Sequence, residues 1–152
     1  MGYDARNNRP WSGGGQGRKQ RYITEPEPQI EISLAKYYCN KGQMLLPNGT
    51  ADVYAGKFRR ITNHQLRKIL DQIKNFKSQS GIENFEKIRS QLFFLLPMAA
   101  YNAGRDRNLE PLYDFLHRHI NEKSICEKKD LDVLDELFTS IIAYHAYHKQ
   151  KG

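Results

Sequence analysis

The cations of this chain are the residues with chemistry to offer, and their spacing groups them. In Leu95-Leu96-Pro97-Met98-Ala99-Ala100-Tyr101-Asn102-Ala103-Gly104-Arg105-Asp106 an apolar helix runs into a Tyr-x-x-Gly-Arg step. The pattern predicts that Gly104 ends the helix in a left-handed conformation and that Arg105 and Arg107 project beyond it. Arginine there favours the negative end of the helix dipole and can offer a forked donor to phosphate or carboxylate; the same step also reads as an ordinary C-cap with basic neighbours. Farther upstream, Arg67 and Lys74 fall two turns apart on one side of a predicted helix with Asp71 between them, close enough to pair with either. Lys68 also lies off the buried stripe of that helix, and Lys57, Arg59 and Arg60 lie on the approach to its cap.

Catalytic chemistry finds less support. His145 and His148 sit one helical turn apart and can ligate a metal, yet no carboxylate or third histidine stands at motif spacing and the last turn of a helix frays. That spacing favours a satisfied or partly exposed pair, while His117 and His119 diverge on a helix. The chain has no Gly-x-Ser-x-Gly elbow, phosphate loop or dinucleotide fingerprint, and its acids are scattered among lysines. We expect no catalytic residues, no metal and no cofactor. Cys39 and Cys126 form neither a metal motif nor a disulfide framework, so a reducing cytoplasm is the expected compartment. The N-terminus lacks the apolar core of a signal peptide, Leu92 to Leu96 is too short to span a bilayer, and Arg6 stands where an acylation motif wants serine or threonine. A soluble, cytosolic protein with no membrane contact is expected.

These cations must be positioned by a small helical domain. The 152 residues suffice for one core, 39% are hydrophobic, and the net charge of +7 points to an acidic partner such as nucleic acid. Residues 29–77 hold nine Lys/Arg against three acids, whereas residues 110–152 hold six against eight. The acidic half is expected to face basic surfaces of protein neighbours through Asp132, Asp135 and Glu136. Residues 1–28 form a basic arm with Gly13-Gly14-Gly15, Pro26 and Pro28, too poor in apolar residues to offset its ordering entropy. It is either a solvated tail or a segment that folds onto RNA or a partner, with Trp11 or Tyr3 stacking on a base.

The remainder, residues 29–152, reads as all-α, a compact bundle of about five helices carrying that disordered basic N-terminal arm. Between Ile30 and Met44, strand-like alternation of Ile30, Ile32 and Leu34 competes with helical spacing, and helix is the preferred reading. Pro47-Asn48-Gly49 is a turn, after which Val53, Tyr54, Phe58 and Ile61 return to helical spacing. Thr62 and Gln65 form a capping-box pattern opening a helix through about Ser78, with Leu66, Ile69, Leu70, Ile73 and Phe76 inward. The next helix starts after Gly81 and carries Ile82, Phe85, Ile88, Leu92, Leu95 and Ala99 inward, with Lys87 and Arg89 outward. Pro97 must kink or restart it, re-aiming Tyr101 and Arg105 relative to Arg67. Tyr101 is expected to pack with its hydroxyl satisfied rather than to serve as a stacking platform. Leu109, Leu112, Phe115, Leu116 and Ile120 mark a shorter helix. Ser124 with Glu127, or Asp130 itself, caps the last one, in which Leu131, Leu134, Phe138, Ile141, His145 and His148 form a coiled-coil-like seam.

Three segments in order, Thr62-Asn63-His64-Gln65-Leu66-Arg67-Lys68-Ile69-Leu70, Ala100-Tyr101-Asn102-Ala103-Gly104-Arg105-Asp106 and Ile142-Ala143-Tyr144-His145-Ala146-Tyr147, resemble the small helical subunit of the Csm effector complex in type III-A CRISPR systems. The similarity covers about the last two thirds of the chain, and the glycine-rich ending of that family is reduced here to Lys149-Gln150-Lys151-Gly152. The resemblance implies a noncatalytic subunit whose copies stack along a ribonucleoprotein filament beside the guide-binding backbone subunits and the large polymerase-like subunit. It implies sequence-independent contact with the backbones of CRISPR guide RNA and target RNA, with Arg67 and Lys74 on phosphates and Asp71 orienting them. Lys57, Arg59, Arg60, Lys68, Arg105 and Arg107 complete the expected RNA-binding set. The competing readings are the small helical subunit of a type III-B Cmr complex, a helical protein-interaction adaptor with a basic patch, and a small metal-dependent enzyme built on the histidines.

Overall fold

The computed structural model describes residues 33–80 and 84–151. The arm expected over residues 1–28 lies outside them, as do Ile30, Ile32, Gly81 and Ile82. The described chain opens with a 3-10 turn, Leu34–Tyr37, followed by the short helix Lys41–Leu45 (α1). At Pro47-Asn48-Gly49 the chain reverses, with Asn48 in the left-handed region at φ 68°. A Cβ on Gly49 would sit 2.5 Å from the Gln43 carbonyl oxygen, so close approach requires glycine there. Thr50–Lys57 (α2) follows; the buried Phe58 and Ile61 lie in the turn after it, not in the helix.

Asn63–Gln79 (α3) begins on both bonds of the expected capping box: Thr62 Oγ1 accepts from the Gln65 N–H at 3.1 Å, and Gln65 Oε1 accepts from the Thr62 N–H at 3.0 Å. Phe85–Phe93 (α4) is capped by Asn84, whose Oδ1 accepts from the Glu86 N–H at 2.9 Å. Leu95–Arg105 (α5), a 3-10 turn at Arg107–Leu109, Glu110–His119 (α6) and the 24-residue Lys128–Lys151 (α7) complete the order. The expected all-α bundle is what forms. Five of these helices have nine residues or more, and the described residues include no strand. Among them no helix is long and apolar enough to cross a membrane.

The core gathers around α7, against which both α2 and α3 pack, while α5 packs on α6. Leu131, Leu134, Phe138 and Ile141 of the expected seam are buried; His148 is exposed and pairs with Asp52 instead. Of the two caps proposed for α7, Asp130 is the one used. Its Oδ2 accepts from the N–H groups of Cys126 at 2.8 Å and Glu127 at 3.0 Å, and its Oδ1 takes the hydroxyl of Tyr38. Ser124 instead donates to the His119 carbonyl at 2.6 Å within the preceding turn.

Three local expectations change. Gly104 is not a left-handed stop, since no described glycine has positive φ and α5 continues to Arg105. The stop is Asp106, extended at φ −137° and ψ 108°, whose carboxylate accepts from the Asn108 N–H at 3.0 Å. The restart expected at Pro97 falls at Phe94, between α4 and α5. This leaves Pro97 in the first turn of α5, where its missing donor costs no bond. Arg89 is not outward: its guanidinium donates to the Glu122 carbonyl at 2.8 Å, and its side chain is mostly covered.

Two histidines, His119 and His145, are buried with this core. His119 stacks on Phe115 at 4.2 Å and donates from Nδ1 to the Phe115 carbonyl at 2.9 Å. Burial pushes its imidazole down to about 4. A histidine depressed in the folded state contributes stability that is complete above about 6.5 and is lost as the pH falls toward 4, by about 3 kcal/mol. Denaturant unfolding should therefore show falling stability between pH 6.5 and 5. His119→Phe should flatten that slope, and an unchanged slope would show that His119 does not titrate with folding.

Candidate nucleic-acid interface

The expected RNA-binding residues divide by what already surrounds them. Lys74 is committed within the fold: its Nζ lies 3.0 Å from Asp135 Oδ1, while Lys77 holds Asp135 Oδ2 at 3.0 Å and lies 3.7 Å from Asp132. Burial alone would raise the Asp135 carboxyl, but Lys77 and Lys74 together outweigh it and hold the group below the usual carboxylate range. Asp71 therefore does not bridge Arg67 and Lys74; Arg67 Nε donates instead to Asn63 Oδ1 at 3.1 Å. Glu136 is bound to Lys41 at 3.0 Å. The three acids expected to face protein neighbours thus meet lysines of their own chain.

Lys57, at the last position of α2, sits 5.2 Å from the Tyr54 ring and shares a hollow with Glu110, Asp114 and His117. Arg59 and Arg60 follow in the exposed turn before Thr62. That turn is held from behind by His145, whose Nε2 donates to the Ile61 carbonyl at 2.9 Å and the Phe58 carbonyl at 3.2 Å. His145 and His148 serve different partners, the second pairing through Nε2 with Asp52 at 2.6 Å, so the two do not converge on a common centre. Sequence spacing alone does not distinguish this bracing role from metal ligation.

Of the remaining cations Lys68 lines a groove between α3 and α5, and Arg67, Arg105 and Arg107 lie within a few residues of its lining in the chain. From α3 it takes Gln65, Lys68, Ile69 and Gln72; from α5 it takes Leu95, Met98, Ala99 and Asn102. Both sets follow i, i+3, i+4, i+7, so one face of each helix looks across the gap. Leu109, Leu112 and Tyr113 complete its lining, and its volume is about 420 Å³. Arg67 is the sequence neighbour of Lys68, and Arg107 shares a 3-10 turn with Leu109. Arg105 ends α5 with its guanidinium 5.6 Å from the Tyr101 ring centre. The acids near it in the chain hold other partners, Asp106 accepting from the Asn108 N–H and Asp114 from Arg118 Nε, each at 3.0 Å.

Tyr101 itself is 61% exposed, contrary to the packed role expected for it. The buried side of α5 is set by Leu95, Ala99 and Ala103, and Tyr101 falls about half a turn away from the two alanines. Gln65, Gln72 and Asn102 were absent from the expected site. Their signal in the sequence is the shared helical spacing with Ile69 and Met98, which marks a face only once the opposing helix is known.

The Csm2 Type III-A family model matches residues 43–151, most of the chain and nearly all of the described bundle. No curated protein and no solved structure matches it.

The division of the cations has a direct thermodynamic consequence. Lys74→Ala combined with Lys77→Ala leaves the largely buried Asp135 carboxylate with, among the described residues, only the Thr139 hydroxyl, 3.2 Å from its Oδ1, and should cost about 1–3 kcal/mol in denaturant unfolding at neutral pH. Arg67→Ala, at an exposed site, should cost about 0.5 kcal/mol or less. Equal effects would mean that the Asp135 pairs are not structural.

Proposed function

Because the chain belongs to the Csm2 Type III-A family and is thus a small subunit of the type III-A Csm complex, we propose that it is a noncatalytic RNA-contacting piece of that assembly. In this reading its exposed cations lie along the sugar-phosphate backbones of guide and target RNA in the cytoplasm. Copies stack beside one another and beside the backbone and large polymerase-like subunits, and base pairing between the two RNA strands supplies sequence recognition.

The observation that supports this reading best is the sorting of charge. Asp132, Asp135 and Glu136 are met by Lys41, Lys74 and Lys77, whereas Arg59, Arg60, Arg67, Lys68, Arg105 and Arg107 are exposed and meet no carboxylate among the described residues. A surface on which these arginines and Lys68 are left to solvent while Asp132, Asp135 and Glu136 are already paired is suited to a polyanion. Arginine suits it further because its planar fork can hold two oxygens of one phosphate. Lys57 stands at the margin of this set, and Lys74 contributes chiefly by holding α3 to α7.

The test is RNA retention by the complex and by the full chain. Combined Arg67→Glu, Lys68→Glu and Arg105→Glu changes should weaken single-stranded RNA binding at least tenfold at moderate salt. They should also reduce the slope of log affinity against log salt by about 2, roughly 0.7 for each phosphate that is no longer neutralised. The melting temperature should stay close to that of the unaltered chain. Unchanged retention at several salt concentrations would overturn the phosphate contacts, and assembly insensitive to ribonuclease would favour a protein-interaction adaptor.

A further inference from the structure

We propose that the α3–α5 groove is a receptor for a single unpaired nucleobase, which makes this surface a reader of RNA stacking as well as of phosphate charge; the proposal rests on the RNA-contacting role above. The two walls differ from an ordinary apolar docking groove in their rim. Gln72 and Asn102 each bring a carboxamide with a donor and an acceptor, Gln65 adds the amino half of its own, whose oxygen serves the Thr62 cap, and Lys68 adds a cation. Among the described residues no carboxylate lines the groove. The floor is apolar, with Leu95, Ala99 and Leu112 each less than one tenth exposed. An apolar floor with amides at its edge matches a heterocycle, which offers an apolar face and a mixed donor and acceptor edge.

Size and surroundings narrow the occupant further. About 420 Å³ lies within the range of roughly 300–1,000 Å³ that small-molecule sites occupy, so the groove suits one base with part of its sugar. The charge outside it suits the rest of a nucleotide chain, since Arg67, Lys68 and Arg107 are exposed and border its lining in sequence. Beside Asn102, Tyr101 presents its ring to solvent with the Arg105 guanidinium 5.6 Å from the ring centre, and Phe94 is 68% exposed just before α5. Phe94, Met98, Tyr101 and Arg105 follow at i, i+4, i+7 and i+11, a stripe on which the next base along the strand can stack. An apolar peptide would leave Lys68 without an anionic partner. An acidic peptide would gain Lys68, and its backbone would serve the amides, but it has no planar ring to lay on the exposed Phe94 and Tyr101.

The test compares two RNAs of equal length and phosphate number, one with ordinary bases and one abasic throughout, binding to the full chain by fluorescence anisotropy. The intact RNA should bind about five- to a hundredfold more tightly, the range one stacked base supplies. The exposed pair Gln72→Leu and Asn102→Leu removes the edge contacts of the base in the groove and should reduce the preference for intact RNA by about two- to tenfold, leaving what stacking on the Phe94–Tyr101 stripe supplies. A second measurement, emission from 2-aminopurine in the RNA, should show a stacked environment with the unaltered chain and a weaker one with the double variant; thermal unfolding of that variant checks that the bundle is intact. Equal binding of intact and abasic RNA would overturn the base receptor and leave the phosphate reading standing. A preference for intact RNA that the double variant leaves at full size would place the base elsewhere and also overturn it. Binding of neither RNA at low salt would overturn both readings. Competition by poly-glutamate that the double variant abolishes would assign the groove to an acidic protein segment instead.

Discussion

Burial of α7 is the constraint on which the rest of the bundle depends. A helix of 24 residues packed against both α2 and α3 must take some of its polar groups inside, and each such group needs a partner or the packing fails. Asp130 at the N-terminal end accepts two backbone N–H groups from the preceding turn and the hydroxyl of Tyr38, from the start of the described chain. Asp135 receives Lys74 and Lys77 from α3. His145, three turns farther along, donates to the two carbonyls that close the turn between α2 and α3. The long helix is thus registered against its neighbours by polar contacts at three heights, and apolar packing between them supplies the bulk of the stabilisation.

This arrangement has an electrostatic by-product. The interior side of α3 is where the acids of α7 meet lysine, so the acids nearest the bundle seam are neutralised before any ligand arrives. The other face of α3, with Gln65, Lys68 and Gln72, turns toward α5 and carries no carboxylate of its own into the groove. One helix therefore does two jobs on different faces: a lysine face ties it to the core, and an amide and lysine face borders the exposed surface. Net charge describes neither face; the local sorting of acids does.

Much of the scaffold was legible in the sequence because its signals are local. The Thr62–Gln65 box, the Pro47-Asn48-Gly49 turn before α2, and the buried spacing of Leu131, Leu134, Phe138 and Ile141 each depend on residues a few positions apart. The misreadings concern partners distant in the chain or choices between equivalent local stops. Lys74 finds Asp135 across a helix interface rather than Asp71 on its own helix, and Arg89 finds a carbonyl at Glu122. Gly104 has the residue type of a helix stop, although Asp106, two residues on, can cap the following turn with its own carboxylate. The candidate site was half visible for the same reason: cations advertise themselves by type, whereas Gln65, Gln72 and Asn102 become a rim only when two helices face each other.

The position of α7 in the chain also bears on how the protein is made. It is the last described helix to leave the ribosome, yet α2 and α3 rest on it and the turn carrying Arg59 and Arg60 is fastened by His145. While residues 29–77 emerge they bring nine lysines and arginines against three acids, and the carboxylates that later neutralise Lys41, Lys74 and Lys77 have not yet been translated. The nascent chain therefore carries these lysines before their carboxylate partners exist, and is less folded than the finished subunit until α7 is made. A truncated product lacking α7 would keep the cations without the bundle that orders them, making it an indiscriminate polyanion binder rather than a shorter version of the same protein.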